Sequence, residues 1–241
     1  MGEISVETRT YKDGEQELEG VLVQPKNAHG KLPTVLVFHA LFGRTEHEEE
    51  TAKQLGKLGF VAFAADVYGK DVKPQTREEA FEVLGKFRSA RSTLLRNRLL
   101  AALNFVKSLP NVDHEKIASI GFCFGGMCSL DLARINAVSS AVSFHGAFQP
   151  IDGETDFEKL EPIQTKILVA HGDEDAHVNP TVDAFIDELR GPKGGLPVPH
   201  RFEGIPGVGY HEPTAKRSKL AMLLLFNELY GLPQLSDLKK A

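Results

Sequence analysis

The sequence predicts an α/β protein with a mostly parallel central sheet and helices on both faces. Short runs of Val, Ile, Ala and Phe alternate along the chain with longer segments of helical periodicity. Several short runs, such as TVLVFHA at residues 34–40 and FVAFAADV at residues 60–67, are almost continuously apolar. Strands buried on both faces of a parallel sheet have this composition, and their alternation with helices favours right-handed crossover connections.

The individual elements follow from these patterns. Residues 4–10 and 18–24 alternate like antiparallel strands. Further strands are expected at residues 34–40, 60–67, 116–122, 141–145, 166–170 and 198–202. Helices are expected at residues 46–58, 77–87, 94–108, 124–134, 181–189 and 214–230. No linker is long enough to divide the chain, and about 20 residues before the 166–170 strand leave no room for a separate cap domain, so we predict one domain over residues 1–241.

Composition and charge argue against several classes of function. The chain has 241 residues, of which 41% are hydrophobic and 25% charged, as in ordinary soluble proteins. A net charge of -5, with the basic residues scattered, argues against nucleic-acid or membrane-surface partners. No apolar signal segment and no run of about 18 apolar residues is present. Two cysteines cannot form a disulfide scaffold, so we expect a reducing, cytoplasmic compartment. We also expect a monomer or homodimer without a cofactor.

The most specific motif is GFCFGG at residues 121–126, where a buried strand is expected to end and a helix to begin. Gly-x-nucleophile-x-Gly at such a junction is the nucleophile elbow of α/β-hydrolases. Cys123 would then stand at a helix N-terminus, where peptide dipoles favour the thiolate and the Phe124 N–H can stabilise an oxyanion. The alternative is a structural cysteine in a phosphate-cradling turn, but neither G-x-G-x-x-G nor a P-loop lysine is present. Cys128 is expected in the core.

In α/β-hydrolases the acid and then the histidine follow the nucleophile along the chain. The segment HGDEDAHV at residues 171–178 follows a predicted strand, and Asp175 fits the G-x-x-D-x-x-V acid loop of this superfamily. Asp173 is the competing carboxylate, although it could instead bond backbone within the turn. The acids and histidines of this loop also permit a metal site, but without a recognised ligand spacing. His211, in the glycine-rich segment before the last helix, is the expected base; its alternative is a cap of that helix.

Together these residues resemble those of the dienelactone hydrolase family, over residues 18–225. The resemblance rests on FHALFG at residues 38–43, the elbow around Cys123, the Asp175 loop and His211. It implies an α/β-hydrolase fold and a Cys-His-Asp triad that hydrolyses small esters or lactones through an acyl-thioester.

The resemblance also assigns the residues around the nucleophile. It implies that the Leu41 N–H is the second oxyanion donor beside that of Phe124. Ala40 departs from the family pattern, because the best-known members carry there a glutamate that holds the thiol. Glu46 or Glu48 could replace it from nearby.

Four further residues are candidates for contacts with the substrate. His39 and His145 end predicted strands at the edge that carries Cys123, so each either lines the cleft or is a hydrogen-bonded core histidine. Arg88 and Arg91 either supply positive charge to a substrate carboxylate or lie on a solvated helix surface.

The predicted partner is therefore a small ester or lactone with a short acyl group. The alternative is a non-catalytic protein on the same fold, in which Cys123 senses redox state or binds a ligand, because a fold alone does not establish a function.

Overall fold

The computed structural model describes residues 2–27, 29–151, 162–172, 174–190, 202–205 and 212–231. Within these ranges the chain forms one sheet of eight strands and six α-helices. The strands are β1 (Ile4–Asp13), β2 (Gln16–Pro25), β3 (Leu32–Phe38), β4 (Val61–Ala65), β5 (Val112–Phe122), β6 (Ser140–Phe144), β7 (Lys166–Gly172) and β8 (Phe202–Ile205). The helices are α1 (Glu46–Lys57), α2 (Arg77–Arg88), α3 (Arg96–Lys107), α4 (Phe124–Arg134), α5 (Val182–Arg190) and α6 (Glu212–Tyr230).

The sheet has the order β1-β2-β4-β3-β5-β6-β7-β8. The strands β1 and β2 form an antiparallel hairpin, and β2 pairs antiparallel with β4. All other neighbouring strands are parallel. This arrangement confirms the predicted mostly parallel α/β sheet. It also brings the carboxyl ends of β3, β5, β6 and β7 to one edge, where ligands bind in open α/β sheets.

Both faces of the sheet are covered, which explains the almost continuously apolar strands. In β3, Leu36 and Phe38 face one core, whereas Val35 and Val37 face the other. Helices α2, α3, α4 and α5 pack on the first face, and α1 and α6 pack on the second. Among the described residues, no helix is both long and apolar enough to cross a membrane.

Several predicted elements differ from the structure in their bounds; for example, β1 extends to Asp13 and β5 begins at Val112. The helix expected at residues 94–108 is preceded by a π-helical turn, Arg91–Leu95, and α3 begins only at Arg96. In this turn the Leu95 N–H donates to the Ala90 carbonyl at 3.0 Å. The strand expected at residues 198–202 overlaps β8 only at its last residue, because residues 198–201 lie outside the described part.

Candidate active site

Cys123 lies at the sharp turn between the end of β5 and the start of α4. Its backbone has φ 53° and ψ -112°, in a region that costs energy for any residue with a Cβ. The Cys123 N–H donates to the Phe144 carbonyl at 2.9 Å, and its carbonyl accepts from Gly126 and Met127 at 3.0 and 3.3 Å. These bonds hold the strained conformation, and the residue remains exposed. This is the backbone geometry of a nucleophile elbow.

Glycines make the turn sterically possible. A Cβ on Gly121 would overlap the backbone of Gly125, and a Cβ on Gly125 would overlap the Phe38 carbonyl. A Cβ on Gly126 would lie 2.6 Å from the Ser143 hydroxyl. The missing side chains therefore let β5, α4 and the end of β3 meet at the nucleophile.

The pKa of the Cys123 thiol is raised, whereas its place at a helix N-terminus predicts a lowered pKa. Desolvation by the surrounding walls raises the pKa of Cys123, although the residue is partly exposed. A hydrogen bond from the Phe124 backbone lowers the pKa, the Asp175 charge raises it and the Arg88 charge lowers it. Burial therefore outweighs the Phe124 N–H, and the net shift of the Cys123 pKa is opposite to the lowering expected at a helix N-terminus. Such a thiol needs a base to become a nucleophile.

His39 is a hydrogen-bonded core histidine and does not line the cleft. Its side chain is 0% exposed. Its Nδ1–H donates to the Ala40 carbonyl at 2.8 Å, and its Nε2 accepts from the Val67 N–H at 3.1 Å. Burial lowers the pKa of His39, so the ring is neutral. The expectation of a direct substrate contact is therefore wrong for this residue, because both ring nitrogens are occupied by backbone.

The two expected oxyanion donors are held in different ways. The Phe124 N–H already bonds the Cys123 thiol. The Leu41 carbonyl accepts from Tyr68 Oη at 3.0 Å, whereas the Leu41 N–H has no acceptor among the described residues. The Tyr68 ring stacks on Phe124 with centroids 5.5 Å apart. Tyr68 was not among the residues predicted from the sequence, although its position just beyond the carboxyl end of β4 was an available signal.

Asp175 lies in the loop after β7, two strands away from the nucleophile strand β5. Its Oδ1 accepts from the backbone N–H groups of His177 and Val178 at 3.0 and 3.2 Å. No described residue donates to its Oδ2. Asp175 is near enough to Cys123 for its charge to raise the thiol pKa. An acid oriented by backbone, with one free oxygen, suits the support of a catalytic histidine.

His211 and Asp173 both lie outside the described residues. The helix α6 begins at Glu212, directly after the predicted base. The loop that carries Asp175 is also held by His171, whose Nε2–H donates to Asn179 Oδ1 at 2.6 Å. His171 is itself buried.

His145 remains a candidate for substrate contact. It follows β6, between the nucleophile and acid strands, and has φ 43°. Its N–H donates to the Ala170 carbonyl at 2.8 Å, while the residue itself is exposed. Partial burial lowers the pKa of His145, and the Asp175 charge opposes this shift. An exposed, mostly neutral imidazole at this edge can donate or accept a hydrogen bond from a ligand.

The two candidate arginines have different environments. Arg88 ends α2, is exposed, and lies near enough to Cys123 to lower the thiol pKa. Arg91 is buried and bonds both carboxylate oxygens of Asp131, at 2.6 and 3.0 Å. Its remaining terminal nitrogen donates to the Gln149 and Pro150 carbonyls, both at 2.9 Å. Arg91 is thus neither a substrate ligand nor a solvated residue, and Arg88 alone keeps its candidate role.

Glu48 does not replace the acid that the family carries at the position of Ala40. Its Oε2 accepts from the N–H and the hydroxyl of Thr45, at 2.8 and 2.7 Å. The first of these bonds belongs to a capping box at the start of α1, and the Glu48 side chain is buried. Glu46 is exposed in the first turn of the same helix. Among the described residues, no three His, Cys, Asp or Glu side chains could together hold a metal ion.

Comparison with known proteins gives consistent matches. A sequence profile of the dienelactone hydrolase family matches residues 18–228. An uncharacterized Caenorhabditis elegans protein is 40% identical over 159 residues, or 59% of this chain and 99% of that protein. Carboxymethylenebutenolidase 1 of Cupriavidus pinatubonensis is 26% identical over 70% of this chain and 75% of its own.

Two solved structures share the fold over nearly the whole chain. The protein named m3DLH has a TM-score of 0.84 at 30% identity and covers 94% of this chain and 99% of its own. A dienelactone hydrolase-like promiscuous phosphotriesterase from metagenomic libraries has a TM-score of 0.82 at 31% identity, covering 95% and 99%. The chain therefore belongs to the dienelactone hydrolase family of α/β-hydrolases, and it is a hydrolase.

Proposed function

We propose that the protein hydrolyses small esters or lactones with Cys123 as nucleophile, His211 as base and Asp175 as the acid that orients His211. The observation that carries the proposal is the strained, exposed Cys123, whose thiol accepts a hydrogen bond from the Phe124 backbone N–H. The proposal also draws on the family, since one relative bears the name carboxymethylenebutenolidase.

The reaction follows from this geometry. His211 takes the thiol proton as the sulfur attacks the carbonyl carbon, and the carbonyl electron pair moves to oxygen. The N–H groups of Phe124 and Leu41 stabilise that oxyanion. When the tetrahedral intermediate collapses, the C–O bond breaks and His211 returns the proton to the leaving alcohol. Water activated by His211 then hydrolyses the thioester and frees Cys123.

The raised pKa of Cys123 supports an enzyme over a redox sensor. A sensor thiol must be largely ionised to react with peroxide. A thiol that ionises only when a base removes its proton suits acyl transfer, because the base acts when the ester is bound. Activated esters, enol lactones and thioesters suit a sulfur nucleophile, and the exposed Arg88 could attract a carboxylate on the substrate.

The test is hydrolysis of p-nitrophenyl acetate by the wild type and single variants. We expect Cys123→Ala to reduce turnover to the background rate and His211→Ala to reduce it by about 10²–10⁴, the usual contribution of a general base. Asp175→Asn is also expected to lower turnover. Cys128→Ala is the matched cysteine control, since Cys128 is buried within α4, and should retain turnover. Equal rates in the wild type, Cys123→Ala and His211→Ala would favour the non-catalytic alternative.

A further inference from the structure

We propose that His39 is a positioning residue for the oxyanion site, because its ring holds the Ala40–Leu41 peptide with the Leu41 N–H turned towards the carbonyl that Cys123 attacks. The inference deepens the proposed function and rests on it for the reaction served.

The planarity of the Ala40–Leu41 peptide fixes the direction of the Leu41 N–H. The Ala40 carbonyl and the Leu41 N–H belong to one trans peptide unit, so they point in opposite directions. The His39 Nδ1–H holds that carbonyl on the buried side, at 2.8 Å. The Leu41 N–H must therefore point away from the buried ring of His39.

The histidine can act only in one tautomer, and the structure holds that tautomer. The Val67 N–H donates to Nε2 at 3.1 Å, so Nε2 must be unprotonated. The proton then resides on Nδ1, where it reaches the Ala40 carbonyl. One nitrogen of the His39 ring bonds the Val67 N–H, just after β4, and the other bonds the Ala40 carbonyl. The ring therefore fixes the Ala40–Leu41 peptide relative to the end of β4.

A second clamp acts on the other side of Leu41. Tyr68 Oη donates to the Leu41 carbonyl at 3.0 Å, and the Tyr68 ring lies edge-on to His39 with centroids 4.6 Å apart. Both carbonyls that flank the Leu41 N–H are thus held by buried side chains. Among the described residues that N–H has no acceptor of its own, as expected for a donor reserved for a ligand.

The clamped loop lies against the nucleophile turn. The His39 ring is 5.8 Å from the Phe124 ring, and the Phe38 carbonyl packs on Gly125. Without His39, the Ala40–Leu41 peptide could rotate and turn its carbonyl towards the developing negative charge. Loss of one oxyanion donor typically costs about 10²–10³ in rate.

The test uses two small probes that react with Cys123 differently. A trifluoromethyl ketone such as 1,1,1-trifluoroacetone adds to the sulfur, and the carbonyl electron pair becomes an oxyanion while the thiol proton passes to a base. Iodoacetamide alkylates the sulfur and releases iodide, so it forms no oxyanion. We would measure the ketone dissociation constant by ¹⁹F NMR and the alkylation rate by mass spectrometry.

The variants separate positioning from general damage. His39→Leu removes the donor to the Ala40 carbonyl, whereas His39→Asn can restore it from an amide nitrogen near the Nδ1 position. Tyr68→Phe removes only the bond to the Leu41 carbonyl. Tyr11→Phe is its matched control, because this buried hydroxyl bonds the Asp66 carbonyl instead. Circular dichroism would confirm that each variant is folded.

We expect His39→Leu to weaken the ketone adduct by about 10²–10³ while the alkylation rate stays near wild type. His39→Asn should recover most of the affinity, Tyr68→Phe should lose part of it, and Tyr11→Phe should lose none. Equal ketone affinity in wild type and His39→Leu, a parallel loss of alkylation, or no adduct with the wild type would overturn the inference. Absence of Cys123-dependent ester turnover would count only against the proposed function, because the ketone adduct requires no turnover.

Discussion

At the scale of single residues, the chemistry depends on whether the Cys123 thiol holds its proton. Desolvation dominates and raises its pKa, with Asp175 acting in the same direction and Arg88 opposing it. The motif predicts where the sulfur lies, because the elbow is local in sequence. Its protonation depends on side chains brought in from α2 and the β7 loop, which local sequence does not specify.

The Arg88 charge should be visible in the pH profile of Cys123. Arg88→Ala removes a positive charge that favours the thiolate, so the midpoint of iodoacetamide alkylation should move to higher pH. Lys86→Ala, on the same helix but paired with Glu82 in solvent, should leave the midpoint unchanged. A downward movement in Arg88→Ala would contradict the placement of that charge beside the thiol.

Local sequence does not specify distant contacts, and this also explains which candidate residues were misassigned. His39 and Arg91 are polar residues near the expected cleft, and both fit a ligand-binding pattern in one dimension. One partner of His39, Val67, is 28 residues away, and Asp131, the partner of Arg91, is 40 residues away. Only the folded chain brings these partners close, and once satisfied the side chains are not available to a substrate.

At the scale of elements, hydrophobic periodicity predicted the order and type of strands and helices well. Buried parallel strands are continuously apolar, and this pattern is local. The π-helical turn at Arg91–Leu95 was missed because its cause is not local: Arg91 is drawn into a buried pair with α4. The strand–helix junction at Cys123 was predicted because its glycines all lie within residues 121–126, so the motif is local in sequence.

The close packing at that junction predicts that alanine substitution has opposite effects on stability at Gly125 and at Gly85. A methyl group on Gly125 would meet the Phe38 and His39 carbonyls, which are backbone and cannot move aside. We expect Gly125→Ala to destabilise the protein by about 1–3 kcal/mol or more, as overpacking does. Gly85→Ala, at an open position within α2, should stabilise it by about 0.5–1 kcal/mol. Urea denaturation measures both, and a neutral Gly125→Ala would contradict the tight junction.

At the scale of the whole molecule, a buried ionic network ties the helices around the site together. Arg134 bonds Asp131 at 2.9 Å and Glu188 at 2.6 Å, and Asp131 also pairs with Arg91. The network joins α4, which follows the nucleophile, to α5, which follows the acid loop. All four side chains are at most 7% exposed.

Removal of Glu188 should be costly because it leaves two buried arginines, Arg91 and Arg134, to share the single carboxylate of Asp131. We expect Glu188→Ala to lower the free energy of unfolding by about 3–5 kcal/mol. Glu82→Ala, in the exposed pair with Lys86, is the matched control and should cost about 1 kcal/mol or less. Equal effects in chemical denaturation would show that the Glu188 pair is solvated.

His39 also connects the site to the stability of the whole fold. Burial lowers its pKa from the ordinary 6.5, so below that pH the unfolded chain binds a proton that the folded chain does not. The free energy of unfolding should therefore fall as the pH decreases from about 6.5 towards the lowered pKa. His39→Asn, which does not titrate, should show a shallower fall in denaturation between pH 7.5 and 5. Identical slopes would place the wild-type ring in a solvated environment.

The most direct measurement is mass spectrometry of the protein quenched during hydrolysis of p-nitrophenyl acetate. Peptide mapping should find a transient acetyl group on Cys123, which persists longer in His211→Gln because the water step lacks its base. Acetylation confined to Cys128 or to lysines, or turnover that continues in Cys123→Ala, would contradict a Cys123 acyl-thioester.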